Sequence, residues 1–403
     1  MADSGYPEGV NERHFPRVGV IGAGQLARMM AIPANDLGIE LIALAESNQD
    51  SAAQVAPFEI GSYKSKEDLL TFARGKDVIT FEHELTPPEL LRELEMAGCT
   101  LFPHGSSFLY SQDKGEMRTL MADIGLPNPH WFMANDYEDF QSKGVAFSHG
   151  VEANPFIEFP LVIKAPSGGY DGRGVWICYS EEEIEKTFRQ VNRPLLVEEA
   201  VNFEYEASVM VARSPHGQAS TWAPTKTIQK NGICTMTITP VPEMSKELSQ
   251  RVQEAALHIA QEIKLVGVMA VELFIRGDEF LINELALRPH NSGHWSIEGS
   301  VTSQFEQHLR AVLDLPLGDT ALRSPYTVMG NILGGADSSD DTDMFRPYLH
   351  LMAREPHLKF HQYGKSVRPG RKIGHLTLTG DNWNAMVSEM EHAIAYMQGE
   401  IDE

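Results

Sequence analysis

Phe159 to Ile177, FPLVIKAPSGGYDGRGVWI, restricts the fold more than any other stretch of the chain. The apolar run Leu161-Val162-Ile163 ends in Lys164, and Val175-Trp176-Ile177 resumes it after a loop holding Gly168, Gly169, Gly172 and Gly174. Two short apolar runs joined by a glycine loop predict a β-hairpin. Glycines let main-chain N–H groups crowd around an anion because no Cβ blocks the approach. Lys164 enters the loop as a point charge, with Asp171 and Arg173 near the tip. A strand-borne lysine before such a loop is one way of holding ATP. An ordinary hairpin with a loose glycine turn has the same pattern, so the rest of the chain has to decide.

A second glycine turn points elsewhere. Arg17 to Ile21 reads as a buried strand running into Gly22-Ala23-Gly24-Gln25-Leu26-Ala27, and a strand from Ile39 to Ala45 ends at Glu46. This G-x-G-x-x-A turn with a later acid is the dinucleotide fingerprint, and alone it nominates a nicotinamide-dependent oxidoreductase. The same turn serves many α/β domains without a dinucleotide. Strand-like and helical stretches then alternate, Glu67–Ala73, Asp77–Phe81, Pro88–Met96 and Thr100–Phe102, which predicts a parallel sheet. Glu82-His83-Glu84 sits at the carboxyl end of one strand, where ligands bind in such sheets. A helix from Ser111 through Met121 puts Lys114 and Arg118 on one face, and surface charge is the simpler account of both.

Beyond the glycine loop, a buried strand ends in Glu198-Glu199 and another opens at Glu206. Val266–Ile275 carries one acid, Glu272, inside an apolar strand, and a turn leads into Phe280-Leu281-Ile282-Asn283-Glu284-Leu285. A carboxylate inside a buried strand is costly unless paired or bound to metal. Two facing acids with an amide beside them suit Mg²⁺, which takes oxygen ligands and shares them with phosphates. Arg288 to Trp295, RPHNSGHW, follows directly, and a second basic cluster holds Lys365, Arg368, Arg371 and Lys372. In a chain of formal charge −23 that cluster is the best phosphate candidate outside the glycine loop. The same charge argues against nucleic acid as a partner.

These motifs resemble those of the ATP-grasp enzymes, and within them the N5-carboxyaminoimidazole ribonucleotide synthetases of purine biosynthesis. GAGQLARM, SQDKGEMR, VIKAPSGGYDGRG, LVEEAVNFEYE, VGVMAVELF, INELALRPHNSGHW, TSQFEQHLRAVLDLPL and RPGRKIGH carry the resemblance, from about Arg17 to about Thr379. It implies an α/β chain, α+β in its ATP-binding lobes. The expected parts are a lead-in (1–16), a Rossmann-like parallel-sheet domain (17–110), an ATP-grasp unit (111–320, small lobe about 130–200) and a small C-terminal domain (321–403). The implied reaction is the ATP-dependent carboxylation of 5-aminoimidazole ribonucleotide by bicarbonate, with Mg²⁺. A formate-using glycinamide ribonucleotide transformylase is a sister possibility sharing the ATP machinery.

By the resemblance, Lys114 and Lys164 attend the ATP phosphates and base, and Gly169, Tyr170, Asp171, Gly172, Arg173, Gly174 and Val175 form a cover loop. Glu198, Glu199, Ala200 and Val201 are the adenine hinge, Glu206 takes the ribose hydroxyls, and Glu272 and Glu284, with Asn283 nearby, hold the metal. Gln229 stands near ATP where some members carry His. Tyr170, Asp171, Arg173, Arg288, His290, Asn291 and His294 belong to the bicarbonate and acceptor site. Gln25, Leu26 and Glu82 join the substrate set, and Lys365, Arg371 and Lys372 hold the ribonucleotide phosphate. A homodimer is implied as well. Three scattered cysteines fit a reduced cytosol, no apolar run is long enough to span a bilayer, and residues 1–16 lack the apolar core of a signal peptide, so a cytoplasmic protein is expected.

Overall fold

The structure is a computed structural model that describes residues 15–149, 159–168, 174–339 and 342–401. The loop positions Gly169, Tyr170, Asp171, Gly172 and Arg173, and most of the lead-in, lie outside the described residues. Among the described residues no helix is long and apolar enough to cross a membrane.

The first part is a parallel sheet of β1 (Arg17–Ile21), β2 (Glu40–Ala45), β3 (Phe58–Ile60) and β4 (Val78–Phe81), in the order β3-β2-β1-β4. Its central strands are apolar on both faces because helices cover each side. The stretch expected as a strand at Thr100–Phe102 reduces to a single bridge between Leu101 and Ile79. The helix expected from Ser111 is in fact two, Gly105–Gln112 and Lys114–Asp123. Asp113 separates them: its carboxylate accepts from the N–H groups of Gly115 (2.8 Å) and Glu116 (3.1 Å), capping the second helix.

A smaller antiparallel sheet follows, built from β5 (Trp131–Ala134), β6 (Leu161–Lys164), β7 (Val175–Cys178) and β8 (Leu195–Glu199), in the order β5-β8-β6-β7. The glycine stretch is a hairpin as expected, with Leu161 opposite Cys178 and Lys164 opposite Val175. Tyr137–His149 forms a helix.

The largest sheet contains β9 (Tyr205–Arg213), β10 (Ala219–Thr221), β11 (Thr225–Lys230), β12 (Ile233–Thr239), β13 (Gly267–Arg276), β14 (Glu279–Ala286), β15 (Tyr326–Leu333), β16 (Lys359–Gln362) and β17 (Lys372–Gly380). Its order is β14-β13-β9-β11-β12-β15-β17-β16, with β10 beside β9. The β12–β15 pairing carries one continuous sheet from the ATP-grasp stretch into the C-terminal stretch. That last stretch also ends in a helix, Trp383–Met397, which the sequence reading did not anticipate.

Alternation along the strands sorts the large sheet into two faces. Ala207, Val209, Val211, Val271, Leu273 and Ile275 face the core and pack with the apolar stripe of helix Lys246–Glu262. Glu206, Ser208, Thr227, Gln229, Glu272 and Glu284 fall on the opposite face, fixed by the register pairs Thr227–Glu206, Glu272–Ser208 and Glu272–Glu284. Every acid that the sequence reading flagged on these strands therefore shares one surface.

Candidate active site

The β13–β14 hairpin supplies the centre. Glu272 and Glu284 are direct cross-strand partners, and the register slips immediately afterwards so that Leu273 pairs with Ile282. The unpaired residue is Asn283. A bulge of this kind turns a side chain away from the direction that plain alternation dictates. Asn283 accepts, through Oδ1, a hydrogen bond from Lys164 Nζ at 3.1 Å.

Lys164 also meets Glu198 Oε2 at 2.6 Å, and Arg118 Nε meets Glu198 Oε1 at 2.6 Å. Arg118 donates a further bond to the carbonyl of Ile282 at 2.8 Å. Arg118 is thus not surface charge, as the sequence reading favoured, but 1 % exposed, beside a Glu198 that is 2 % exposed. Burial works against the Glu198 charge, yet Lys164 and Arg118 hold its pKa below the usual carboxylate range. Burial in turn lowers the Lys164 pKa, against the pull of Glu198. The triad joins the small sheet, the Lys114–Asp123 helix and the β13–β14 hairpin. The Glu198 side chain is consumed in this network, which leaves the main chain of Glu198 to meet a ligand.

Lys114 forms an ion pair with Glu284. Withdrawal from solvent, with Glu284 and Glu206 close by, pushes the Glu272 pKa up to about 7. Burial acts in the same direction on Glu284, but Lys114, Lys164 and Arg118 keep it low. Glu206 is raised by burial, with Lys164 opposing. Gln229 lies beside a second register slip, and its Oε1 is buried with no hydrogen-bond partner among the described residues.

The RPHNSGHW turn lies against this face. His290 Nε2 is 3.4 Å from Glu272 Oε1, while His290 Nδ1 faces Ser292 Oγ at 2.9 Å and accepts from the Ser292 N–H at 3.4 Å. Burial, then the charges of Arg288 and Lys372, hold the His290 pKa well below the ordinary value. The ring is therefore neutral at ordinary pH. Asn291 exchanges two amide hydrogen bonds with Asn331 of β15, at 2.9 and 2.7 Å. Arg288 lies 3.4 Å from Glu84 Oε2.

His294 is a correction. It is 0 % exposed, packed between Phe305 and His375, and its Nδ1 takes a bond from Gln304 Nε2 at 2.9 Å. Gln304 also clamps the His290 main chain, accepting from its N–H and donating to its carbonyl, each at 2.8 Å. His294 supports the turn from behind and does not reach a ligand surface.

A cleft of about 680 Å³ opens between the carboxyl ends of the parallel sheet and the turn before β17. Its lining includes Gly24, Gln25, Glu82, Lys365, Arg368 and Arg371. Lys365 donates to Gln25 Oε1, and Arg371 Nη1 donates to Ser366 Oγ at 2.5 Å. Leu26 is buried behind the turn. Lys372, one residue from Arg371, has its charge felt by His290 and His294, on the other side. Arg288 links the two regions, acting on Glu82 and His83 in the cleft and on Glu272 and His290 at the hairpin. The structure thus brings Gln25, Glu82, Lys365 and Arg371 together in one place and Lys114, Lys164, Glu198, Glu206, Asn283, Glu272, Glu284 and His290 in another. Glu199 ends β8 and Ala200 begins the segment between the sheets, while Gly174 and Val175 restart the hairpin.

Sequence reasoning missed Gln304 and Asn331 and misplaced Arg118. The only available signal was that Arg118 follows Met117 and precedes Met121 on an otherwise inward helix face.

Family models match along the chain: a ribonucleotide synthetase preATP-grasp domain over residues 15–112, an ATP-grasp domain over 119–305 and a phosphoribosylaminoimidazole carboxylase C-terminal domain over 327–389. The N5-carboxyaminoimidazole ribonucleotide synthase of Mycobacterium leprae is 43% identical over 372 residues, covering 91% of this chain and 84% of that protein. The crystal structure of N5-carboxyaminoimidazole ribonucleotide synthetase from Thermus thermophilus superposes with a TM-score of 0.82 at 32% identity, covering 96% of this chain and 99% of that one. The Aspergillus clavatus N5-carboxyaminoimidazole synthase, in complex with ADP and 5-aminoimidazole ribonucleotide, gives 0.81 at 27% identity, covering 96% and 100%. With this fold and these two clusters, the chain belongs to the N5-carboxyaminoimidazole ribonucleotide synthase family, ATP-dependent ligases built on the ATP-grasp fold.

Proposed function

We propose that this chain joins bicarbonate to the exocyclic amine of 5-aminoimidazole ribonucleotide at the expense of ATP, giving N5-carboxyaminoimidazole ribonucleotide, ADP and phosphate. The observation that carries the reading is the pair of clusters joined by Arg288: an acid hairpin with two lysines, and a basic cleft of ribonucleotide size beside it. The Aspergillus relative holds ADP and 5-aminoimidazole ribonucleotide together, as two such regions require.

A bicarbonate oxygen takes the γ-phosphoryl group of ATP and ADP leaves, producing carboxyphosphate. The carbon–oxygen bond to phosphate then breaks, the amine nitrogen bonds to the carbon, and the amine loses a proton. Lys114 and Lys164 contribute positive charge where the transferred phosphoryl group gathers negative charge. The triad through Glu198 holds Lys164 in position, so little reorganisation is needed when charge develops. His290 stands beside Glu272 as a neutral ring, and Arg288 spans the hairpin and the cleft. Lys365 and Arg371, with Lys372 on the hairpin side, are assigned to the phosphate of the ribonucleotide. Asp171 is assigned to orient or deprotonate the amine, with Tyr170 and Arg173 beside it in the cover loop.

The residues present fit a divalent ion. Two carboxylates opposite one another, one of them pushed up to about 7 by burial and its neighbours, form an all-oxygen donor set short of positive charge. Glu272 and Glu284 would hold Mg²⁺, with Asn283 at hand, and the ion would neutralise and orient the ATP phosphates.

The test is ADP release with Mg-ATP and bicarbonate, with and without 5-aminoimidazole ribonucleotide. Strong stimulation by the ribonucleotide that disappears without bicarbonate is expected. Hydrolysis indifferent to the ribonucleotide would overturn the acceptor assignment, and no ADP release would overturn the whole reading.

A further inference from the structure

Lys114 and Glu284 pair directly, although the reading above gives them different ligands: phosphate for the lysine, metal for the acid. Without those ligands the hairpin has a charge problem. Glu272 and Glu284 oppose one another across the strands, and Glu206 adds a third carboxylate on the same face. The groups that answer them are Lys114, Lys164 and Arg118 at Glu284, and Lys114, Arg288 and the neutral His290 ring at Glu272. Among these, Lys164 and Arg118 are already committed to Glu198, and Arg288 stands against Glu84. Lys114 has Glu284 as its carboxylate partner, and its side chain is 11 % exposed.

We propose that Lys114 is a built-in counter-cation at Glu284, keeping a divalent metal off the Glu272–Glu284 pair until a nucleotide phosphate draws its ammonium away. The proposal rests on the reading of this hairpin as the divalent site. A metal binding to both carboxylates has to displace the ammonium from Glu284, and a displaced ammonium in a partly enclosed cleft is unfavourable without a new anion. A nucleotide phosphate is that anion. Metal and phosphate therefore favour one another's binding, and this reciprocity is a thermodynamic requirement of shared partners. The consequence is selectivity for the metal–nucleotide complex over the free ion.

The experiment titrates Mn²⁺ into the full chain without nucleotide, following free Mn²⁺ by electron paramagnetic resonance. Wild type, Lys114→Met and Lys114→Arg are compared, with Lys114→Gln as the alternative should the methionine variant not fold. Lys114→Met is expected to bind Mn²⁺ about tenfold more tightly than wild type, and Lys114→Arg to stay within about twofold of it. Adding Glu284→Gln to Lys114→Met should remove the gain. An equal or weaker Mn²⁺ affinity in folded Lys114→Met overturns the proposal, as does a gain that survives Glu284→Gln. A non-hydrolysable ATP analogue is titrated into the same variants. Its binding should weaken as Mn²⁺ binding strengthens, and unchanged nucleotide binding overturns the exchange. Loss of ribonucleotide-stimulated ADP release in the wild type would instead strike the functional reading, so the two failures are distinct.

Discussion

Glu82 turns its carboxylate into the glycine turn at Gly24, accepting from the Gly24 N–H through Oε1 and from the Ala27 N–H through Oε2 at 3.2 Å. The turn that reads as a dinucleotide fingerprint thus has an internal carboxyl acceptor at the start of helix Gln25–Asp36, where a pyrophosphate would otherwise sit. The glycines serve this approach: a Cβ on Gly24 would come within 2.6 Å of Glu82 Oε1. Burial raises the Glu82 pKa, against the pull of the two N–H groups and of Lys365 and Arg288.

Glu82→Ala should cost about 1–2 kcal/mol of stability, because two helix N-terminal donors lose their acceptor. Urea unfolding measures this. In the wild type, NADH titrated by fluorescence should show no saturable binding, and a clear isotherm would contradict the occupied turn.

Arg118→Met should be among the most damaging single changes. It leaves Glu198 buried with only Lys164 as a charged partner, and removes the donor to Ile282. Breaking one member of a buried ionic network costs about 3–5 kcal/mol. The denaturation midpoint should fall accordingly, and a shift near zero would mean that the network adds nothing to stability.

His308 ties the parallel sheet to the large sheet. Its Nε2 faces Thr80 Oγ1 at 2.7 Å, and its Nδ1 accepts from the Val268 N–H at 3.2 Å, so the proton resides on Nε2. Burial pushes its pKa down to about 3 from an ordinary 6.5. A depressed folded-state value means that the unfolded chain takes up the proton first. The stability contributed is full above about 6.5 and is lost as pH falls toward about 3. Stability from urea unfolding should decline across that window, with a contribution from this one group of at most about 1.4 kcal/mol per pH unit. His308→Leu should be less stable at pH 7 and show a shallower acid slope.

Arg371→Met should raise KM for the ribonucleotide about tenfold or more, as expected for loss of a charge-assisted phosphate contact. KM for ATP should move little, because Arg371 lines the cleft beside the parallel sheet and not the β13–β14 hairpin. Steady-state kinetics with each substrate varied separately would decide this, and a comparable rise in both constants would reject the division of the site.

Much of the site is local chemistry and therefore visible in the chain alone. The glycine hairpin with Lys164, the acids inside apolar strands and the RPHNSGHW turn each announce themselves through residue types that cannot be buried without a partner. What the sequence could not decide is which groups meet across distant segments. Arg118 reads as surface charge until Glu198, eighty residues on, is folded against it. Asn331 and Gln304 carry no signal of their own, since an amide is a clamp only once Asn291 or the His290 main chain lies within reach. His294 belongs to a motif that suggests a ligand, yet packing places it behind the turn. That the Glu82 carboxyl group fills the turn at Gly24 is visible only in the fold, which delivers it from the end of β4, the strand that pairs with β1. Residue chemistry thus determined the kind of site, because charge and backbone freedom belong to each residue. Pairing, burial and proton position were settled by tertiary structure, because they depend on the distance between segments far apart in the chain.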